Sequence, residues 1–221
     1  MNTKIFLDEI IKQEKDNFKI IDKTVNLLNN PKDEIAFAIE FNNLSKVYKN
    51  TLIETKIIKQ LLADLKLNTL TSLELARIYL LIKITHKFEQ EYEYIIKNLF
   101  DTADNNELIT LYKSLIFLPD PKKFLFKAYE GVRSNNTLIF NSIALNNTYP
   151  LNFFDENSWN QLILKAFFIE SDVKQIIGVE KRINPKLINM LIDFANERSK
   201  AGRTVNPELF NLIKMSQDKE S

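Results

Sequence analysis

The chain contains no cysteine and a single histidine, His86, in 221 residues. Those two absences exclude a disulfide framework, a thiolate nucleophile, a cysteine-ligated zinc site and any multi-histidine centre. Glycine and proline are scarce, with 3 and 6 copies. All-β folds use more of both at their turns, so the shortage favours helices. Charge of one sign is also missing: 30 Lys and Arg stand against 29 Asp and Glu, a net charge of +1. That balance supplies no global field to draw in nucleic acid or an anionic membrane. Nowhere do about 18 apolar residues follow one another, which excludes a membrane-spanning helix. The opening Met1–Lys12 is broken by Lys4, Asp8 and Glu9 and so reads as an amphipathic helix rather than a secretion signal. The expected compartment is the cytoplasm. No glycine-rich phosphate loop occurs, and neither a metal nor an organic cofactor is expected.

What is present is apolar surface in helical register. With 45% hydrophobic and 27% charged residues, the chain can bury a sizeable core, and its length suits one domain over 1–221. A first helix is predicted from Thr3 to Leu28, carrying Ile5, Ile10, Ile11, Phe18, Ile21 and Val25, and ending at Asn29-Asn30-Pro31. A second starts at Pro31, a residue suited to the first helical position. A third, Leu52 to Leu65, places Ile53, Ile57, Ile58, Leu61 and Leu62 on one stripe. Thr71-Ser72-Leu73-Glu74 has capping-box spacing. Thr85-His86-Lys87 marks a break before the next helix, and Asp104-Asn105 and Asp120-Pro121 mark further starts. After Gly131 short polar residues become frequent and loops carry more weight. Asp155 to Ile169 is apolar nearly all round, which predicts a central helix covered on most sides, with Trp159, Phe167 and Phe168 in the core. Asn184-Pro185 opens the last long helix and Gly202 closes it. The expected fold is all-α: an antiparallel helix-hairpin stack, either a solenoid of the TPR or HEAT kind or a compact multihelical domain. No motif recurs at a fixed period.

Some residues depart from plain amphipathicity. On the Asn184 helix, Leu187, Leu191, Phe194 and Ala195 share one side, and Arg198 falls at its centre. A guanidinium there must either meet a carboxylate and carbonyls or face a polar cavity. Glu197 and Arg203 flank it, and a carboxylate beside two guanidiniums can orient them for an anion or simply neutralise them. Arg133, Tyr149, Arg182 and Asn184 join such a site if the fold gathers their loops. Lys165 falls on the polar side of its helix and reads as solvated. His86 has no metal-ligand partner at suitable spacing.

The motifs Leu118-Pro119, Asn146-Asn147-Thr148-Tyr149-Pro150, Phe154 to Phe168, Ile177 to Leu187 and Met190 to Phe210, taken in order and spacing, resemble the EboA family. They cover about half the chain, so 119–215 is its motif-bearing part and 1–118 generic helix. The family's closing signature usually reads His-Glu-Arg and then Ala-Gly-Arg. Glu197, Arg198, Ala201, Gly202 and Arg203 match it, whereas Asn196 stands in place of the histidine and Ser199 where a tryptophan is common. A carboxamide cannot exchange a proton near neutral pH, so a histidine-based reaction is closed to this chain.

The resemblance implies a role in the ebo gene cluster, whose products make a small metabolite and, in some cyanobacteria, move scytonemin precursors. The expectation that follows is a non-enzymatic binding or scaffold protein holding an anionic metabolite or a pathway enzyme near Arg182, Arg198 and Arg203. A cofactor-independent enzyme built on Glu197, and a pure protein–protein interaction module, are the alternatives.

Overall fold

The computed structural model describes residues 18–64, 67 and 70–220. Among these the fold is all-α, with twelve α-helices, three short 3-10 turns and one isolated antiparallel bridge between Leu52 and Thr71. The predicted positions Ile5, Ile10, Ile11 and Leu65, and the side chains of Ile57 and Leu61, lie outside the described residues. The chain divides into two compact units, 1–131 and 132–221. The division falls where the sequence turns polar after Gly131.

The first unit holds α1 (Lys19–Leu27), α2 (Glu34–Val47), α3 (Lys56–Asp64), α4 (Ser72–Lys87), α5 (Tyr92–Thr102) and α6 (Asn105–Ser114). Helix α2 starts at Glu34 and not at Pro31, because the Asp33 carboxylate accepts the Ala36 amide and fixes the cap there. Helix α4 begins as its capping box predicts: the Thr71 hydroxyl accepts the Glu74 amide at 3.2 Å, and the Glu74 carboxylate accepts the Thr71 amide at 2.9 Å. Asp104 and Glu107 repeat the device at α6. Helix α4 is buried on all sides, from Leu75 through Ile84 with the sole exception of Lys83, and it packs against α1, α2, α5 and α6. A solenoid repeat touches only its neighbours, so this unit is a bundle around α4, the second of the two predicted forms.

The second unit takes up the end of α7 (Leu125–Arg133), then α8 (Thr137–Ala144), α9 (Tyr149–Phe153), α10 (Glu156–Phe168), α11 (Pro185–Lys200) and α12 (Pro207–Glu220). Its core gathers Phe140, Ile143, Tyr149, Trp159, Leu162, Ile163, Leu187 and Leu191, all without solvent exposure. Asp120, predicted to cap a helix, makes no side-chain cap bond; the chain passes through a 3-10 turn at Pro121–Phe124 first. No described helix is long and apolar enough to cross a membrane, and no cluster of metal-ligand residues occurs among the described ones.

Candidate functional site

The predicted arginine cluster separates into two places. Asn184 caps the start of α11, accepting the Leu187 amide at 2.9 Å, and Arg198 lies in its last turn. Fourteen residues at 1.5 Å each set these positions about 20 Å apart, too far for one small anion to join.

At the first place, Gly178 adopts φ +88°, a conformation that would strain any other residue, and its missing Cβ leaves room for Leu151. The turn it makes carries Arg182 onto the end of α9, where the guanidinium donates to the carbonyls of Pro150 (3.1 Å), Leu151 (3.3 Å) and Phe154 (2.9 Å). Helix ends leave carbonyls with spare acceptor capacity, and a cation there is favourable. The same guanidinium lies 4.7 Å from the centre of the Trp159 ring. Burial pulls Arg182 below the usual arginine range, opposed by Asp155 and Glu156. Asn184 and the buried Asn160 exchange amide hydrogen bonds at 2.9 and 3.1 Å. Tyr149 is fully buried, packed on Phe153 and Phe154. These residues come together, as parts of a structural knot.

At the second place, Arg198 donates to the Thr204 carbonyl at 2.8 Å and pairs with Glu170 at 3.2 Å, its side chain 17% exposed. Gly202, at φ +67°, closes α11, and the amide of Arg203 reaches back to the Arg198 carbonyl at 2.9 Å. Glu170 closes α10 in the same left-handed way at φ +59°, so the Glu170–Arg198 pair ties two helix ends together. Glu197, Arg203 and Arg133 are exposed. The Ala-Gly-Arg signature is therefore a helix stop, and Glu197 is exposed beside it.

Two other features did not stand out from the sequence. The deeply buried arginine is Arg77, 3% exposed, with its guanidinium on Glu107 at 3.3 Å, on the Phe41 carbonyl, and 5.0 Å from the centre of the Phe41 ring. Burial pulls it below the usual arginine range, while Glu107, Asp104 and Glu74 oppose that shift. Its signal was an Arg inside Leu75-Ala76-Arg77-Ile78-Tyr79, a run apolar on every side.

The other is a cavity of about 550 Å³ in the second unit, lined by Leu164, Phe168, Ile169 and Phe194 with Ser134, Asn135, Gln161 and Lys165. Gln161, Leu164, Lys165 and Phe168 share one face of α10. The opposite face, Trp159, Leu162, Ile163, Ala166 and Phe167, is buried. The prediction that Phe168 belongs to the core is thus corrected: it is 66% exposed, on the side of α10 that opens to the cavity. The solvated reading of Lys165 is also corrected. Its ammonium is half-buried, donating to the carbonyls of Val132 and Ser134 and lying 5.4 Å from the centre of the Phe140 ring. The first unit has cavities of about 440 and 510 Å³; the first is lined by polar Asn42, Asn43, Lys46 and Glu107 together with apolar Ile39, Phe41 and Leu99, and the second largely by the Val47–Thr55 connection.

The family model described as "Metabolite traffic protein EboA" matches residues 4–214. The chain belongs to the EboA family. No curated protein and no solved structure matches it. Within this family member, the signature residues Gly178, Arg182, Asn184, Pro185 and Gly202 hold the second unit's helix ends in place.

Proposed function

We propose that this EboA protein is a non-enzymatic carrier of a small, largely apolar metabolite, seated in the second unit's cavity between α10 and Phe194, and that it serves the pathway of the ebo genes. One observation carries the reading: Leu164 and Phe168 of α10, with Ile169 and Phe194, line an open cavity instead of a core. An exposed apolar face without a covering element is unfavourable in water unless a ligand or partner covers it. The volume of about 550 Å³ lies within the range of small-molecule sites, and the family's description as a metabolite traffic protein agrees with a small-molecule cargo. The arginines are less suited to hold cargo, because Arg182 is held by three backbone carbonyls and Arg198 by a carbonyl and a carboxylate.

Native mass spectrometry of protein purified gently from its own host tests the reading. The folded wild-type carries surplus mass of metabolite size, lost on denaturation and absent from Phe168→Ser, which folds normally since the side chain is exposed. A wild-type without surplus mass that also takes up no apolar probe refutes the carrier reading. A co-purifying pathway enzyme in its place favours the scaffold.

A further inference from the structure

The cavity wall contains one formal charge. Lys165 is the only charged residue among the lining side chains, no carboxylate lines the cavity, and Lys165 forms no ion pair among the described residues. An ammonium has three donors. Two of them go to the carbonyls of Val132 and Ser134, and the Phe140 ring face at 5.4 Å attracts the cation without accepting a full hydrogen bond. Burial pulls Lys165 below the usual lysine range, the response of a cation that lacks a counter-charge.

Resting on the carrier reading above, we infer that the cargo is an organic anion: an apolar body against Leu164, Phe168 and Phe194 with one negatively charged group at the Lys165 ammonium. Such a group adds a charged acceptor to an ammonium whose other contacts, two carbonyls and a ring face, are all neutral. In a mostly apolar surrounding a charge-assisted hydrogen bond is among the stronger single contacts available. Asn135 and Gln161, both exposed on the lining, offer neutral donors to the same group. A neutral cargo would leave the lysine charge as unpaired in the complex as in the free protein, and a cationic one would add repulsion.

Two fluorescent probes that share an aromatic body separate the charge from the cavity. Anilinonaphthalene sulfonate is anionic, and phenylnaphthylamine is its neutral counterpart. The wild-type binds the anion at least about tenfold more tightly than the neutral probe. Lys165→Met brings the anion down to the neutral probe's level and leaves the neutral probe unchanged, while Lys165→Arg keeps the preference. Equal binding of both probes by the wild-type, or equal weakening of both by Lys165→Met, overturns the inference yet leaves the carrier reading standing. Failure of both probes to bind the wild-type brings down the carrier reading itself. The wild-type comparison decides the matter even if Lys165→Met does not fold, and cooperative urea unfolding of each variant excludes probe uptake by a loosened state.

Discussion

Replacing Arg77 with methionine removes a guanidinium that is 4% exposed and strands the carboxylate of Glu107, which is 8% exposed. Glu107 also accepts from Asn42 at 3.2 Å and caps the Asp104 amide at 3.0 Å, so it cannot swing out to water without undoing the start of α6. Breaking a buried pair on one side typically destabilises by about 3–5 kcal/mol. In a chain of this length each kcal/mol moves the midpoint by about 2–4 °C, so a loss of about 6–20 °C is expected. Arg198→Met is the comparison. Its carboxylate partner, Glu170, is 74% exposed, so the stranded charge returns to water and the loss stays near 1 kcal/mol or below. Urea and thermal unfolding followed by far-ultraviolet circular dichroism measure both variants. Combining Arg77→Met with Glu107→Gln, which keeps a cap acceptor and removes the stranded charge, restores more than about 1 kcal/mol relative to Arg77→Met alone. If Arg77→Met proves as mild as Arg198→Met, or the second substitution restores nothing, the account of a closed ionic core around α4 fails.

Asn184→Ala removes the α11 cap and leaves the buried Asn160 amide without its partner, a combined loss of about 2–3 kcal/mol by urea unfolding. Gly202→Ala meets no neighbouring atom within 4 Å, so it isolates the cost of φ +67° in a residue with a Cβ, about 1 kcal/mol; Glu170→Gly, at φ +59°, exceeds Glu170→Ala in stability by a similar amount. The Lys97 hydrogen bond, with Lys123 beside it, holds the Glu93 carboxyl below the usual carboxylate range. A group with a depressed folded-state value contributes stability above its unfolded value and loses it as pH falls through the folded one. Glu93→Gln therefore lies below wild-type by less than about 1 kcal/mol at neutral pH, and the gap closes on acidification through the carboxylate range.

Local chemistry was written plainly in the sequence. Thr71 with Glu74, Asn184 with Pro185, and Gly202 each mark a helix boundary because a cap depends on residues three or four apart. The break after Lys87, the polar change after Gly131 and the all-α class follow from spacing and composition in the same way. Pro31 misled because Asp33, two residues on, made the stronger cap. The motif-bearing half identified the family, and several of its signature residues, among them Asn184, Pro185 and Gly202, turn out to bound helices.

Pairings across the chain were settled only in three dimensions. A helical wheel gave Arg198 an apolar side, but a wheel cannot show that the side runs out at the helix end, where Glu170 and the Thr204 carbonyl receive the guanidinium. It gave Arg77 no distinction, although Phe41 of α2 and Glu107 of α6 close on that turn of α4 and make its charge the buried one. Lys165 and Phe168 exchanged their expected places for the same reason. Sequence placed apolar residues on more than one side of α10, and packing decided that one side meets a core and the other, where Gln161 and Lys165 stand beside Leu164 and Phe168, an open cavity, because burial depends on which segments arrive from elsewhere in the chain.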